Sequence, residues 1–132
     1  MFYNDNINIV IGDRTLTDSI TVKGYNWIRV MSGRIFSVLI KFILFLPYPD
    51  TQCGFKAIRK QTMQSILKPS IIDTFTFDVE LLYALYLNNI FAERIPVIFF
   101  HSDRSSINLL YDPFIMFLDL IRIRTHKKFY TM

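Results

Sequence analysis

Five residues that could take part in chemistry or recognition stand within seven positions of one another in the stretch PYPDTQCGFKAI, residues 47–58. They are Asp50, Gln52, Cys53, Gly54 and Lys56. Apolar runs enter and leave this stretch, which distinguishes it from an ordinary surface loop. A carboxylate here can orient an acceptor group or stabilise positive charge that develops on a substrate, and a lysine can pair with a phosphate.

Simpler roles compete with this chemistry. Asp50 follows Pro49, where an aspartate often caps a turn. No histidine lies near Cys53 in sequence to activate its thiol, so packing is the better interpretation of this only cysteine, which also excludes an intrachain disulfide. His101 and His126 lack other ligands at metal-binding spacing, and we expect no metal site on them.

Charge and hydropathy narrow the class of protein. The 132 residues suffice for one domain, 52% of them are hydrophobic, and the net charge is +4. The last eleven residues carry five basic or imidazole side chains and no acid, which favours anionic headgroups or phosphates over duplex DNA. The longest apolar run, residues 35–48, is shorter than the roughly 20 residues of a spanning helix and contains Lys41. The N-terminus lacks the pattern of a signal peptide.

The periodicity of apolar residues predicts an α/β order with three strands and a thin sheet. Strands are expected at residues 7–11, 53–58 and 93–100, and helices at residues 22–46, 59–67, 76–89 and 112–128. Pro47 and Pro69 should end two of the helices, and Pro96 should place the third strand at a sheet edge. So few strands predict part of a larger fold.

Four motifs in order carry a resemblance to a known family. DTQCGFKAIRK, FTFDVELLYAL, ERIPVIFF and DLIRIR resemble the second half of a family-two glycosyltransferase, nearest to dolichyl-phosphate β-glucosyltransferases and bacterial polyprenyl-phosphate relatives. IVIGDR, residues 9–14, is similar to the "GSR" strand and loop of that family, with Asp13 in the usual serine position. The resemblance extends from about residue 9 to residue 124.

The resemblance implies that residues 1–132 form one partial domain, the acceptor-side C-terminal half of a GT-A-type, Rossmann-like fold. The family's nucleotide-binding half and its Asp-x-Asp metal motif do not occur in this sequence. Magnesium or manganese is therefore expected in the complete enzyme, with ligands outside this chain. We also expect the sheet to expose an edge that the other half would cover.

Residue roles follow from the same resemblance. Asp50 matches the family's catalytic carboxylate, and Arg14 and Arg29 match arginines that hold the acceptor phosphate through a planar fork of donors. Further candidates are Lys56, Ser32 and Arg34 for the phosphate, and Gln52, Gly54, Asp78 and Glu80 for the substrate loop. Gly54 would let the backbone turn tightly, and Phe55 would anchor its strand in the core.

Each assignment has an alternative. The arginines could be solvated on a helix face, and Asp78 and Glu80 could be helix N-terminal acids that the dipole favours. Residues two apart do not share a helix face, so at most one of these acids should face the site, and Glu80 is preferred. Residues 113–128 could form an interfacial amphipathic helix or a core helix, and residues 103–110 an acceptor lid or a polar loop.

The activity implied is inverting transfer of a hexose, with glucose expected, from a nucleotide sugar (UDP-glucose) to dolichyl or polyprenyl phosphate. Such an enzyme would lie on the cytosolic face of the endoplasmic reticulum or the inner face of a bacterial plasma membrane, with no nucleic-acid partner. Two alternatives remain: an inactive remnant, or a non-catalytic lipid-phosphate-binding module at a membrane surface.

Overall fold

The computed structural model describes residues 6–22, 27–66, 70–74, 76–100 and 111–131. These residues form a mixed α/β structure with two small sheets. In chain order the elements are β1 (Ile9–Gly12), β2 (Ile20–Val22), α1 (Trp27–Leu44), β3 (Lys56–Ile58), α2 (Lys60–Ile66), α3 (Phe77–Leu87), β4 (Glu93–Ile95), β5 (Ile98–Phe100), α4 (Asp112–Thr125) and α5 (Lys127–Tyr130).

Strand β1 is the centre of the larger sheet, whose order is β3-β1-β4. It pairs antiparallel with β3, where Val10 lies opposite Ala57, and parallel with β4, where Val10 lies opposite Glu93. All four β1 residues are buried, as expected of a central strand whose sequence is mostly β-branched. The parallel strands β1 and β4 end at the same edge, and the chain leaves β1 there at Asp13.

The predicted strand at residues 93–100 is in fact two strands. Proline has no N–H to donate, and at Pro96 the chain leaves β4 in the larger sheet and enters β5, which pairs parallel with β2 in a separate two-stranded sheet. The sequence did not predict β2. The described residues contain five strands, so the predicted count of three was wrong. Val22 belongs to β2, and α1 begins at Trp27 instead.

Helix α3 forms the middle of the core. Val79, Leu82, Tyr83 and Leu85 are at most 1% exposed, because neighbouring elements cover the helix on several sides. One apolar cluster joins β1, α1, α3 and α4 through side chains that include Ile9, Ile11, Phe36, Ile40, Leu44, Met116, Leu120 and Ile123. This core fixes β1, and with it the residues that follow β1.

One sequence-based prediction concerns a segment outside the described residues: the acceptor lid or polar loop at residues 103–110. Among the described helices, none combines the length and the apolar character needed to cross a bilayer.

Candidate functional site

Asp50 and Arg14 meet beside the end of β1, although 36 positions separate them in sequence. The guanidinium of Arg14 binds the carboxylate of Asp50 through two hydrogen bonds, from Nε to Oδ2 at 2.7 Å and from Nη2 to Oδ1 at 2.8 Å. The backbone N–H of Arg14 also donates to Oδ2, at 3.0 Å. Asp50 is 6% exposed, whereas 35% of the Arg14 side chain is exposed. The pair therefore has a buried acid and a base that reaches solvent.

The electrostatics of this pair keep both groups ionised. Burial acts to raise the pKa of Asp50, but hydrogen bonds from the side chain and backbone of Arg14, and from the backbone of Gln52, outweigh it and hold the pKa below its usual value. The hydrogen bond to Asp50 raises the pKa of Arg14 despite partial burial. The Arg14 guanidinium also lies 4.9 Å from the centre of the Phe99 ring, and this cation–π contact helps to hold the guanidinium in place.

A second ion pair stands beside the first. Asp13 is completely buried, and its Oδ2 accepts a 2.6 Å bond from Nε of Arg94 on β4. Its Oδ1 accepts hydrogen bonds from the backbone and hydroxyl of Thr15, at 2.8 and 2.6 Å. Like Arg14, Arg94 keeps about a third of its side chain exposed. Asp13 thus has a fully satisfied carboxylate that positions an arginine.

The end of β1 packs tightly on the strand and loop around it. A Cβ on Gly12 would lie 2.7 Å from Val97 Cγ1, 2.8 Å from Cys53 Sγ and 3.2 Å from Phe55 Cβ, so only glycine fits. Cys53 is buried in this contact, in keeping with a packing role. Phe55 is 40% exposed, and the prediction that it anchors the core was wrong.

Lys56 extends the site toward α3. Its Nζ donates to the carbonyl of Cys53 at 2.7 Å and lies 3.2 Å from Oδ2 of Asp78. The Lys56 side chain is 8% exposed, so it forms a buried link between the carbonyl of Cys53 and the start of helix α3. Asp78, at the start of α3, is the acid that contacts another candidate residue.

Glu80 is buried and accepts hydrogen bonds from several parts of the chain. It is 4% exposed, and it accepts hydrogen bonds from the Ser70 hydroxyl, from the backbone N–H groups of Ile71 (2.9 Å) and Ile72 (3.3 Å), and from the Tyr130 hydroxyl (2.7 Å). Burial and then the bond to Glu80 raise the pKa of Tyr130. The carboxylate therefore ties α3 to α5 and to residues 70–72, and a role for Glu80 at the substrate loop stays a prediction.

Of the remaining candidates, Gln52 contacts Asp50 through its backbone, and no contact described brings Arg29, Ser32 or Gly54 to Asp50. The hydroxyl of Ser32 donates to the carbonyl of Ile28 in its own helix, at 2.8 Å. Arg29 lies in α1, but its side chain is outside the described part of the structure. Gly54 has open space at its Cβ position and no left-handed φ, so its backbone does not require glycine. The roles assigned to Arg29, Ser32, Gln52 and Gly54 stay predictions.

Sequence reasoning missed three residues at this site. Arg94 and Phe99 come from β4 and β5, and their partners Asp13 and Arg14 lie about eighty positions earlier, so no local pattern announces them. The hydroxyl of Thr51, next to Asp50, is buried and has no hydrogen-bond partner among the described residues, which is a costly arrangement. The only signal available was Asp13 itself, since a buried acid after a strand demands a cation.

The charges of the site balance. Three cationic and three anionic side chains form three pairs: Arg14 with Asp50, Arg94 with Asp13, and Lys56 with Asp78. A phosphate that binds here must therefore use hydrogen-bond donors that the three ion pairs do not engage. Nε and Nη2 of Arg14 are engaged, but Nη1 has no hydrogen-bond acceptor among the described residues. Arg14 can hold Asp50 and a second anion together.

No metal ligand set is evident. Among the described residues, no group of three or more histidines, cysteines, aspartates or glutamates is arranged to hold a metal ion. A cleft of about 470 Å³ lies elsewhere, at the start of α4, and is lined by Asp73, Thr74, Asp112, Ile115 and Met116. Neither Asp50 nor Arg14 lines this cleft.

Comparison with known proteins shows that the chain is similar to part of a glycosyltransferase. It is 30% identical over 121 residues to the dolichyl-phosphate beta-glucosyltransferase of Dictyostelium discoideum. The match covers 91% of this chain but only 37% of the length of that relative. No protein-family model matches the chain. No solved structure matches it either.

Proposed function

We propose that this chain is the acceptor-side segment of an inverting, family-two glycosyltransferase of the GT-A type, which moves a hexose, glucose in the first instance, from a nucleotide sugar to a dolichyl or polyprenyl phosphate. The contact between Asp50 and Arg14 carries the proposal, because it joins the expected catalytic carboxylate to the expected phosphate ligand. The name of the Dictyostelium relative, a dolichyl-phosphate beta-glucosyltransferase, supports the choice of lipid and sugar.

In this proposal Arg14 binds the acceptor phosphate through Nη1, which has no acceptor among the described residues, and through the exposed edge of the guanidinium. Its bonds to Asp50 and the ring of Phe99 orient that edge before the lipid arrives, so little conformational freedom is lost on binding. Asp50 stays negatively charged because its pKa is lowered. It orients the phosphate nucleophile and stabilises positive charge that develops on the sugar, while no strong base is needed because the phosphate is already ionised.

The segment would work at a membrane, since dolichyl and polyprenyl phosphates are held in lipid. The cytosolic face of the endoplasmic reticulum, or the inner face of a bacterial plasma membrane, is the location we propose. Magnesium or manganese would come with the donor and be held by residues outside this chain. No step assigned here depends on the metal.

Transfer can be tested in a chimera in which this chain replaces the matching segment of the Dictyostelium relative. The assay follows labelled glucose from UDP-glucose to dolichyl phosphate. We expect Asp50→Asn to abolish turnover while the chimera stays folded, because the amide keeps the shape and loses the charge. Full activity in this variant would remove Asp50 from the mechanism.

Acceptor binding can be tested on the chain itself with farnesyl phosphate, and with farnesol as the matched control without a phosphate. Arg14→Ala should weaken binding of the phosphate at least about tenfold, as expected when one charge-assisted bond is lost, and leave farnesol unchanged. In the chimera the same variant should raise KM for the lipid and not for UDP-glucose; the reverse pattern rejects the assignment. Binding without transfer would favour the non-catalytic module.

A further inference from the structure

Arg94 binds its acid partner in a way that leaves much of its guanidinium unengaged. Its Nε donates to Oδ2 of Asp13 at 2.6 Å, and its Nη2 lies 3.4 Å from the hydroxyl of Thr15. Nη1 has no hydrogen-bond acceptor among the described residues. Two parallel bonds to one carboxylate, as Arg14 makes, are the stronger way to neutralise a buried acid. Arg94 does not use that arrangement, so its Nη1 end can bind another anion.

The side chain of Arg94 extends toward the edge of the sheet where Arg14 lies. In the register of the two parallel strands, Arg94 on β4 is opposite Ile11 on β1. Its guanidinium nevertheless contacts Asp13 and Thr15, which follow Ile11 in the chain. These two residues flank Arg14 in sequence, and the contact with Thr15 is exposed to solvent. The guanidinium of Arg94 therefore reaches the surface beside the residues that carry Arg14.

This edge is a favourable place for a ligand. Strands β1 and β4 are parallel neighbours, so their carboxyl ends meet there. Open α/β sheets commonly bind ligands in the crevice outside the carboxyl ends of parallel strands. Both arginines are anchored at this edge by buried acids, Arg14 by Asp50 and Arg94 by Asp13. Neither guanidinium can turn away without leaving a buried charge unpaired, so both are oriented before a ligand arrives.

The depth of the charges decides the sign of that ligand. Each ion pair is neutral as a whole, but its two groups lie at different depths. Asp13 and Asp50 are 0% and 6% exposed, whereas Arg94 and Arg14 keep 34% and 35% of their side chains exposed. A ligand at the surface therefore meets the positive group of each pair first, and an anion with several acceptor oxygens fits the unengaged donors.

We propose that Arg94 is a second phosphate-binding residue, and that Arg94 and Arg14 form a two-arginine site at the carboxyl ends of β1 and β4. Phosphate oxygens match the planar fork of a guanidinium better than they match a point charge. No sequence motif pointed to Arg94. The choice of ligand rests on the proposed function, in which the phosphate belongs either to the lipid acceptor or to the diphosphate of the nucleotide sugar.

A double variant tests this assignment without leaving a buried charge unpaired. Loss of Arg94 alone would strand the carboxylate of Asp13 and destabilise the fold. The variant Asp13→Asn, Arg94→Gln removes both charges together, keeps two amides that can hydrogen-bond, and leaves the net charge unchanged. The matched control, Asp18→Asn with Lys60→Gln, removes one acid and one base from exposed positions. Circular dichroism and urea unfolding check that both variants are folded.

Binding is measured by calorimetry on the full chain with farnesyl phosphate and with inorganic pyrophosphate, and farnesol is the ligand control without a phosphate. We expect the double variant to bind at least one of the two phosphate probes at least about tenfold more weakly, because a charge-assisted bond is lost. The control variant should bind as the unchanged chain does. Weaker binding of farnesyl phosphate assigns Arg94 to the lipid, and weaker binding of pyrophosphate assigns it to the donor.

The variant Arg94→Lys separates the shape of the side chain from its charge. An ammonium group can still pair with Asp13, so the chain should stay folded, but it has no planar fork to share with a second anion. We therefore expect Arg94→Lys to lose most of the phosphate binding that the double variant loses. A purely structural role for Arg94 predicts the opposite, a folded Arg94→Lys chain with unchanged phosphate binding.

Two results overturn the inference: equal binding of both phosphate probes by the double variant and its control, or normal binding by a folded Arg94→Lys chain. In the chimera, the double variant should raise KM for dolichyl phosphate if Arg94 serves the lipid, and KM for UDP-glucose if it serves the donor. Phosphate binding that depends on Arg94, in a chimera without transfer, would reject the proposed function and keep the two-arginine site. Transfer that is indifferent to the double variant would do the opposite.

Discussion

At the scale of single residues, the site is a set of mutually satisfied charges. Arg14 donates hydrogen bonds to Asp50 from two guanidinium nitrogens and from its backbone N–H, and the rest of its guanidinium reaches solvent. Lysine could not do this, because an ammonium group has no planar fork to divide between two anions. The identity of the side chain therefore matters at position 14 as much as its charge.

The lowered pKa of Asp50 makes a prediction about stability in acid. Asp50 binds protons less readily in the folded state than in the unfolded state, where its pKa is about 3.9. Its ionised form therefore stabilises the fold fully above about pH 5, and this contribution is lost as the pH falls through the lowered folded-state pKa. In Asp50→Asn we expect a loss of roughly 1–3 kcal/mol at neutral pH that shrinks in acid.

Urea unfolding of the two proteins between neutral pH and about pH 3 measures this difference. Asp18→Asn serves as a control, because Asp18 is exposed and the loss of one surface charge should matter little to stability. A gap between Asp50→Asn and the unchanged chain that stays constant, or widens, on acidification contradicts the assignment.

At the scale of elements, two glycines that look alike in sequence have opposite roles. Gly12 ends β1 against Val97, Cys53 and Phe55, and a methyl group there would overlap two of them at less than 3.0 Å. We expect Gly12→Ala to cost roughly 1–3 kcal/mol of unfolding free energy through overpacking. Gly54→Ala, with nothing in its way, should be neutral or stabilise by up to about 1 kcal/mol. Thermal or urea unfolding of both variants measures the difference. Equal effects would mean that the side chains around Gly12 can move aside for a methyl group.

The acids of α3 give a second element-scale prediction. Glu80→Gln should cost roughly 1.5–3 kcal/mol, because an amide cannot accept at both of its ends from Ser70, Ile71, Ile72 and Tyr130. A double-mutant cycle with Tyr130→Phe isolates the bond between α3 and α5. A coupling energy near zero would show that this hydrogen bond contributes little to holding the two helices together.

At the scale of the whole molecule, the sequence predicted most of what local patterns encode. The apolar run of β1, the periodicity of α1 and α3, and the pair Asp112-Pro113 at the start of α4 all located their elements. The DTQCGFK motif located Asp50, and the loop after β1 located Arg14. β2, three residues long, gave too little periodicity to detect, and the short strands β4 and β5 were predicted as one. The bond from Arg94 to Asp13 spans 81 positions and depends on which strands pair, which no window of sequence contains.

The same organisation predicts an uneven distribution of stability across the molecule. Helix α3 is covered on several sides, so its amides from Val79 to Leu85 should exchange with deuterium only through global unfolding. The sheet of β2 and β5 has two strands and mostly exposed side chains, so the amides of Ile20 to Val22 should exchange through local opening. Arg14 touches this sheet through Phe99. We therefore expect Arg14→Ala to speed exchange in β5. Exchange in α3 should change only as much as the global free energy of unfolding changes. Native-state hydrogen exchange measured by NMR tests this order, and equal protection of β2 and α3 would mean that the site and the core unfold as one unit.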